Sequence, residues 1–285
     1  MNIPITDTHQ HLIHPEQWPY SWTDGIPQLA GQAFRYADYQ QAIAGTGITK
    51  TIFMETSPDD RHFHAETKFV YELAAQPGSI IAGVIANCRP EEHDFEKYLE
   101  TIRHPKLAGL RRILHVVPDE LSQSAGFGEN VRRMGRMGLT FDLCFLARQL
   151  PIALELAQKC PDTQLILDHC GVPDVAAQAL DPWRENIRAL AALPNVACKI
   201  SGVLAYAKSG HANTEAVRPF VEHCLEQFGW ERVVWGGDWP VCNLTSTLAD
   251  WVSVSREIVR NASQAEQAKL FHANAERIYG LNRRQ

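Results

Sequence analysis

Eight short apolar runs recur along the chain, each rich in Ile, Val, Leu or Phe. They occupy residues 3–9, 50–56, 79–86, 107–114, 138–145, 164–171, 196–202 and 232–239. Most of these runs are continuously apolar rather than strictly alternating. That pattern is typical of parallel strands covered on both faces, so the runs predict eight buried strands.

Helix-like stretches, with apolar residues at three- and four-residue spacing, lie between these runs. The clearest are residues 36–47, 65–76, 129–138, 146–160, 182–193, 214–229 and 265–280. Pro151 would interrupt the fourth stretch, so that helix is predicted to begin near Leu150.

Strands that alternate with helices predict one α/β domain over residues 1–285. Parallel strands need crossovers and closure removes the sheet edges, so the favoured architecture is a (β/α)8 TIM barrel. A doubly wound open sheet is the alternative. No G-x-G-x-x-G follows the first strand and no P-loop pattern occurs, which disfavours the nucleotide-binding versions of that sheet.

Two connections are longer than a minimal turn: residues 12–37 after the first strand and 203–213 after the seventh. Both follow the carboxyl end of a predicted strand, where a barrel builds its active site. The first loop carries aromatic residues that either wall a pocket or pack the loop onto the barrel, namely Trp18, Tyr20, Trp22, Phe34 and Tyr36.

Charge and composition exclude several classes of protein. The formal net charge is -6 and no long basic run occurs, so binding to nucleic acid, which needs clustered cations, is not expected. The amino terminus lacks the basic flank and apolar core of a secretory signal, and no uninterrupted apolar segment reaches about 18 residues. A cytoplasmic protein without a membrane partner is predicted. The seven cysteines include no C-x-x-C pair, which predicts reduced thiols, and burial is predicted for the four in or beside apolar runs, Cys88, Cys144, Cys170 and Cys198.

Three histidines and one aspartate close apolar runs at the predicted carboxyl ends of strands one, six and eight. His9 and His11 are two residues apart, so a strand directs both imidazoles to one side. His169 ends the sixth run and Asp238 ends the eighth. Singly, each has an ordinary structural explanation, such as a helix cap. Together they would converge at one end of a barrel, and their ligand types suit a divalent metal.

The motifs D-T-H-Q-H, L-D-H-C-G, K-I-S-G and G-G-D-W-P, with the Trp- and Pro-rich loop after the first of them, resemble the amidohydrolase superfamily. The nearest branch is the sugar-lactone hydrolases, which include fuconolactonase-like and pyrone-dicarboxylate-lactonase-like enzymes. The resemblance implies a distorted (β/α)8 barrel that hydrolyses a lactone. His9 and His11 match the strand-one pair of the family, His169 the strand-six histidine, and Asp238 the strand-eight aspartate that acts on water.

The sequence departs from the binuclear members of that superfamily at two strands. The fifth strand offers Asp142 where those members have a metal-binding histidine, and the fourth has Arg111 and Arg112 in place of a bridging lysine or glutamate. A two-metal site is therefore not expected, and the resemblance leaves one divalent metal, such as Zn²⁺, or none. Strand alternation directs only one of the two arginines inward, and the resemblance favours Arg111.

Ester hydrolysis needs a nucleophilic water, a base for its proton, and positive charge near the developing oxyanion. Asp238 is the candidate base, and His169 is the second candidate catalytic residue. The oxyanion is stabilised either by a metal on His9, His11, His169 and Asp238 or, without metal, by a protonated histidine and an arginine. The sequence does not separate these two arrangements.

Other residues near the predicted strand ends are candidates for binding the substrate: Glu55, Arg111, Asp142, Lys199 and Trp22. Charged groups inside a barrel are costly unless they are paired. The alternative for Glu55, Asp142 and Lys199 is therefore that they pair with one another or point outward to the helices.

The predicted function is hydrolysis of a sugar lactone, an aldonolactone such as an L-fuconolactone-like compound, to the free hydroxy acid. One alternative is a metal-dependent decarboxylase of the same superfamily, which needs a firmly held divalent ion. The other is a noncatalytic barrel that binds a sugar acid. A small molecule is the one partner that the sequence indicates, and neither the particular lactone nor the oligomeric state follows from it.

Overall fold

A computed structural model describes residues 3–283 of the chain, so residues 1, 2, 284 and 285 of the predicted domain lie outside it. Within that range eight parallel strands pair in sequence order in one sheet. They are β1 (Ile5–Gln10), β2 (Ile48–Met54), β3 (Ile81–Asn87), β4 (Leu107–Ile113), β5 (Thr140–Cys144), β6 (Leu165–Leu167), β7 (Val196–Ile200) and β8 (Val233–Trp235). Each strand overlaps one of the eight apolar runs, and the predicted (β/α)8 barrel is confirmed.

Helices follow the strands and cover the outside of the sheet. They are α1 (Tyr36–Ala42), α2 (Phe63–Ala74), α3 (Phe95–Thr101), α4 (Ala125–Arg136), α5 (Leu150–Lys159), α6 (Trp183–Ala191), α7 (Thr214–Phe228), α8 (Leu248–Ile258), α9 (Gln264–Ala268) and α10 (Asn274–Ile278). Helix α5 begins at Leu150, as Pro151 predicts. Helices α3 and α8 lie outside the stretches singled out from the sequence, and a π-helical turn joins α9 to α10.

The amino-terminal end of the barrel interior is apolar. Tyr279 and Leu281, at the end of the chain, pack there against inward-facing side chains of the strands, namely Ile52, Ile85, Ala108, Ile166, Ala197 and Val234. A Cβ built on Gly83 would lie 3.1 Å from Leu281, which shows how closely the carboxyl-terminal segment approaches the sheet. This segment therefore closes one end of the barrel, and the opposite end is left for chemistry.

The contact between β8 and β1 differs from the other strand pairs. Within the described residues one isolated bridge, Gln10 opposite Trp239, joins their ends. Beside it the backbone N–H of Asp238 donates to the carbonyl of His9 at 2.7 Å, and that of His11 donates to the carbonyl of Trp239 at 2.8 Å. This seam joins the segment that carries two of the candidate histidines to the segment that carries the candidate base.

Two glycines allow the close approach at the seam. A Cβ on Gly236 would lie 2.7 Å from the Cβ of His9, and one on Gly237 would lie 2.6 Å from Oδ2 of Asp7. Both distances are shorter than real Cβ contacts. The G-G of the G-G-D-W-P motif is therefore required where the barrel closes.

The long loop after β1 mostly packs on itself and on α2. Trp18 and Tyr20 are buried with Ile13, so for these two aromatics the packing explanation holds. Trp22, in contrast, is 37% exposed. The predicted loop after β7 contains a 3-10 turn, Val203–Tyr206. All seven cysteines are free thiols and buried, including the four for which burial was predicted. No helix within residues 3–283 is long and apolar enough to cross a membrane.

Candidate active site

The four side chains singled out from the sequence lie together at the carboxyl end of the barrel. The Nε2 atoms of His9 and His11 are 3.1 Å apart. Oδ1 of Asp238 lies 3.6 Å from Nε2 of His9 and 3.5 Å from Nε2 of His11. Its other oxygen, Oδ2, is 3.9 Å from Nδ1 of His169. The predicted convergence of three imidazoles and one carboxylate is therefore present.

The site has a narrow opening to solvent. The side chains of His11 and His169 are 8% and 9% exposed, and that of Asp238 is 3% exposed, whereas that of His9 is fully buried. The ring of Tyr206, from the loop after β7, stands edge-on to His169 at 6.2 Å between centroids. His11 and His169 are therefore the members of the cluster nearest to solvent, while His9 stays inside the barrel.

His169 and Asp238 both adopt the left-handed backbone conformation, with φ of 53° and 55°. Non-glycine residues are uncommon there, and such strain persists only where the surroundings enforce it. Gly202 leaves room for both: a Cβ at this position would lie 2.5 Å from Nδ1 of His169 and 3.0 Å from Oδ2 of Asp238. The glycine of K-I-S-G is therefore needed to bring these two side chains together.

The surroundings of His11 fix its tautomer. Its Nδ1 lies 3.0 Å from the carbonyl oxygens of Met54 and Glu55. Carbonyl oxygens only accept, so in the neutral ring Nδ1 carries the proton and Nε2 presents its lone pair. That lone pair faces His9 and Asp238. Backbone bonds of this kind orient histidine ligands in metal sites.

The residues present fit one divalent cation. Two imidazole nitrogens on one tetrahedral Zn²⁺ ion would lie about 3.3 Å apart at ordinary Zn–N bond lengths. The Nε2 atoms of His9 and His11 are 3.1 Å apart, and Asp238 offers an oxygen to the same point. His169 belongs to a second potential group, with His9 and Asp168. His9 is common to both groups, which places it at the centre of the site.

Arg111 and Lys199 bring positive charge to the two ring nitrogens of His9, Arg111 on the side that faces Asp238 and Lys199 on the other. Nη1 of Arg111 is 3.2 Å from Nε2 of His9, and Nζ of Lys199 is 3.4 Å from Nδ1 of the same ring. Arg112 points away and pairs with Glu91 at 2.7 Å. The choice between the two arginines, which strand alternation leaves open, is therefore settled in favour of Arg111.

The other predicted charged residues lie inside the barrel and are paired. Glu55 accepts from Nε of Arg111 at 2.7 Å, and Asp142 lies 3.2 Å from Nζ of Lys199. Of the two explanations open for Glu55, Asp142 and Lys199, pairing within the interior describes their contacts, and none faces the helices. Trp22 stands at the rim, where its indole N–H donates to the carbonyl of Thr56 at 2.9 Å.

The amidohydrolase family model matches residues 6–281 of the chain. The chain belongs to the amidohydrolase family. The resemblance carried by the histidine, L-D-H-C-G and G-G-D-W-P motifs is thus confirmed over nearly the whole length.

Relatives of this amidohydrolase include lactonases. The L-fucono-1,5-lactonase of Burkholderia multivorans is 30% identical, covering 96% of this chain and 95% of the relative. That of Burkholderia ambifaria is 27% identical, over 97% and 96% of the two chains. The crystal structure of an amidohydrolase from Burkholderia multivorans with bound zinc has a TM-score of 0.89 at 26% identity, covering 97% of this chain and 99% of the other. The chain is therefore a lactonase-like amidohydrolase.

Burial and neighbouring charges set the protonation of this amidohydrolase's site. Burial, aided by Lys199, holds the pKa of His9 well below its ordinary value. Burial also lowers the pKa of His169, against the opposing pull of Asp238. Both rings are therefore neutral near pH 7, the form in which imidazole binds metal or accepts a proton. Burial raises the pKa of Asp142 to about 7, although Lys199 opposes the shift.

Sequence reasoning missed Asp168, which holds the cationic groups of the amidohydrolase together. Its carboxylate lies 3.0 Å from Nζ of Lys199, 3.5 Å from Nη1 of Arg111 and 3.6 Å from Nδ1 of His9. Burial alone would raise the pKa of Asp168, but Lys199 and His9 outweigh it and the pKa lies well below the ordinary value. One signal could have indicated Asp168. It is a charged residue at the end of a buried strand, two residues after Ile166, and therefore points inward as Ile166 does.

Ser201 was missed as well. Its hydroxyl lies 3.0 Å from Nδ1 of His169 and orients that ring. The serine belongs to the K-I-S-G motif, but its hydroxyl chemistry is too common for the residue type alone to indicate a role. Its partner is 32 residues away in the sequence, so spacing gave no indication either.

Proposed function

We propose that this amidohydrolase is a single-domain sugar-lactone hydrolase that opens an aldonolactone, such as an L-fuconolactone-like ring, to its hydroxy acid. One observation supports the proposal above all: Asp238 meets three imidazoles beside Arg111, at a site where His11 and His169 keep a small exposure to solvent. The names of the two lactonase relatives favour a sugar lactone as the substrate.

In the proposed reaction Asp238 acts as the general base. A water molecule attacks the lactone carbonyl carbon, and the carboxylate of Asp238 takes its proton. The carbonyl oxygen becomes an oxyanion. When the carbonyl re-forms, the ring C–O bond breaks, and the departing alkoxide takes the proton back from Asp238. Lactone and water give one hydroxy acid, and the carboxylate is regenerated.

Arg111 is the fixed positive charge nearest to the histidines, and it stabilises the oxyanion in this scheme. Glu55 holds its guanidinium through Nε at 2.7 Å, so the charge is placed before substrate binds. His169 stands beside the base and is oriented by Ser201. A divalent ion on His9, His11, His169 and Asp238 would, when bound, polarise the lactone carbonyl as a Lewis acid.

We assign recognition of the sugar to the solvent-facing edge of the site, next to the end of β2. Trp22, exposed on the rim above β2, offers an apolar face to the ring of the substrate. Glu55, Asp142 and Lys199 remain proposed substrate-binding residues. Because their charges already pair with neighbours, we expect them to act mainly by fixing Arg111 and His9.

The direct test is acid release from a panel of 1,4- and 1,5-aldonolactones by the purified protein, as prepared, after exhaustive chelation, and after addition of Zn²⁺. We expect turnover of at least one sugar lactone. A flat response, with CO₂ released from an aromatic acid only when metal is present, would instead establish the decarboxylase. Tight binding of a sugar acid without any turnover would establish the noncatalytic barrel.

A further inference from the structure

The seam between β8 and β1 is held by two backbone hydrogen bonds and by side chains, whereas longer backbone ladders hold the other strand pairs. Within the described residues, neighbouring strands from β1 to β8 pair along registers of several residues, whereas β8 meets β1 at one isolated bridge. The hydroxyl of Thr8 donates to the carbonyl of Trp235 at 2.8 Å and spans part of the remaining gap. The position of Asp238 relative to His9 therefore depends on few contacts.

Asp7 makes the most of these contacts. It is fully buried, and its Oδ1 accepts from the backbone N–H of Gly237 at 2.7 Å and from that of His9 at 3.0 Å. One carboxylate oxygen thus accepts hydrogen bonds from both sides of the seam, from Gly237, which precedes Asp238, and from His9. Gly237 has no room for a Cβ, because such an atom would lie 2.6 Å from the other oxygen of Asp7, Oδ2.

Tyr39 of α1 holds Asp7 from outside the barrel. Its hydroxyl donates to Oδ2 of Asp7 at 2.8 Å, and its ring lies 5.4 Å from that of Trp239, the residue after Asp238. The tyrosine is fully buried. It therefore touches both sides of the seam, Asp7 by a hydrogen bond and Trp239 by ring packing, and makes no contact with the reacting groups themselves.

We propose that Tyr39 and Asp7 form a positioning unit that clamps the end of β8 onto β1 and so sets the distance between Asp238 and His9. The catalytic consequence rests on the proposed function. The clamp itself does not, because it concerns backbone atoms whose hydrogen bonds can be followed without any substrate.

The chain offers a matched control in Tyr36, three residues earlier on the same helix. Tyr36 is also buried, and its hydroxyl accepts from the backbone N–H of Ile80 at 2.8 Å, just before β3. Tyr36→Phe and Tyr39→Phe each remove one buried hydroxyl from α1. The two variants differ in which contact is lost: Tyr36→Phe affects the segment before β3, and Tyr39→Phe affects the seam. A general loss of packing in α1 would instead affect both variants alike.

The experiment measures amide hydrogen exchange and steady-state kinetics on the full chain. In Tyr39→Phe we expect faster exchange in residues 236–240 and ordinary exchange in residues 79–82; in Tyr36→Phe the pattern should be reversed. For the lactone that the panel identifies, Tyr39→Phe should lower kcat by about 10-fold to 100-fold with KM nearly unchanged, the scale of a small misplacement of reacting groups. Tyr36→Phe should keep the wild-type kcat.

A conservative change at the other member of the unit gives a rescue. Asp7→Asn keeps one oxygen for both backbone N–H groups, and its amide can donate to the hydroxyl of Tyr39. We expect it to retain more of kcat than Asp7→Ala, and to hold Zn²⁺ more tightly than Asp7→Ala in competition with a chelator.

The outcomes separate the two proposals. If the wild-type protein opens no lactone, the proposed function fails. Amide hydrogen exchange and Zn²⁺ affinity still test the clamp in that case, because neither measurement needs a substrate. If exchange in residues 236–240 is the same in Tyr39→Phe and wild type, the clamp is wrong. Faster exchange with an unchanged kcat, in a wild-type protein that is active, would reduce Asp7 and Tyr39 to a structural role and overturn the positioning claim.

Discussion

The two ends of the barrel interior differ sharply in composition and in backbone. At the amino-terminal end, aliphatic side chains such as Ile166 and Val234 pack against Tyr279 and Leu281. At the carboxyl end, buried charges and imidazoles meet at residues with left-handed backbone, His169 and Asp238. Apolar burial stabilises the first end, whereas the second combines strain with buried charge, both of which cost stability.

This difference between the two ends indicates that stability depends mainly on the apolar end and the chemistry mainly on the charged end. A change at the apolar end should alter the free energy of unfolding and leave the chemistry of the folded molecules intact. A change at the charged end should alter the chemistry, and should alter stability only where it leaves a buried charge without its partner. Substitutions at matched positions can test this division.

The largest effect is expected at the proposed base. Asp238→Asn preserves shape but cannot take a proton from water, so kcat should fall by about 10²-fold to 10⁴-fold. Because the change removes a buried charge, the free energy of unfolding should not decrease. Acid release and denaturant unfolding measure the two quantities, and near-normal turnover would remove Asp238 from its proposed role.

Next in size is the loss of a buried pair at the charged end. Arg111→Met leaves Glu55, fully buried, without its cation, which should cost about 3–5 kcal/mol of unfolding free energy. The matched control is Arg112→Met on the same strand, whose partner Glu91 keeps a side chain 17% exposed, so its cost should be smaller, about 1–2 kcal/mol. Equal losses in the two variants would contradict the assignment of Arg111 to the interior.

A cavity at the apolar end should affect stability alone. Ile166→Ala is expected to lower the free energy of unfolding by about 2–5 kcal/mol, and the milder Ile166→Val by about 1 kcal/mol. Both variants should retain the wild-type kcat per folded molecule. A proportional fall in kcat would mean that the two ends of the interior are coupled, and the division drawn above would not hold.

These positions also show what the sequence could predict. Apolar runs revealed all eight strands, because parallel strands buried on both faces leave a strong local pattern. His9, His11, His169 and Asp238 were identified from period-two alternation and from their positions at strand ends. Both signals are local properties of the segment that carries the residue.

Contacts between distant segments were not predictable from such patterns. The pairing of Asp168 with Lys199, of Ser201 with His169, and of Asp7 with Gly237 each depends on how the barrel closes. Length does not explain the two missed helices, because α1, with seven residues like α3, was predicted, whereas α8, with eleven, was not. The packing of Tyr279 against the inward-facing side chains of the strands was not predictable either, because it depends on where the carboxyl-terminal segment lies in the folded barrel.

The smallest effect is expected at the rim. Trp22→Ala removes a side chain that is 37% exposed and the hydrogen bond of its indole N–H to Thr56, so the free energy of unfolding should fall by about 1 kcal/mol. If the indole contacts the sugar ring, KM should rise about fivefold, or about 1 kcal/mol of binding, with kcat unchanged. Trp22→Phe, which keeps an apolar face, should recover most of the loss, and an unchanged KM in both variants would exclude Trp22 from recognition.

The central claim is that an intact lactone binds at the carboxyl end of the barrel against Asp238. The most direct measurement is a crystal structure of Asp238→Asn soaked with the lactone that the wild-type protein hydrolyses. We expect an unopened ring whose carbonyl carbon lies about 4–5 Å from the side chain of residue 238, with room for one water molecule between them, and whose carbonyl oxygen faces Arg111 or a bound metal. A ring held elsewhere, for instance beneath the loop that carries Trp18 and Tyr20, would contradict it.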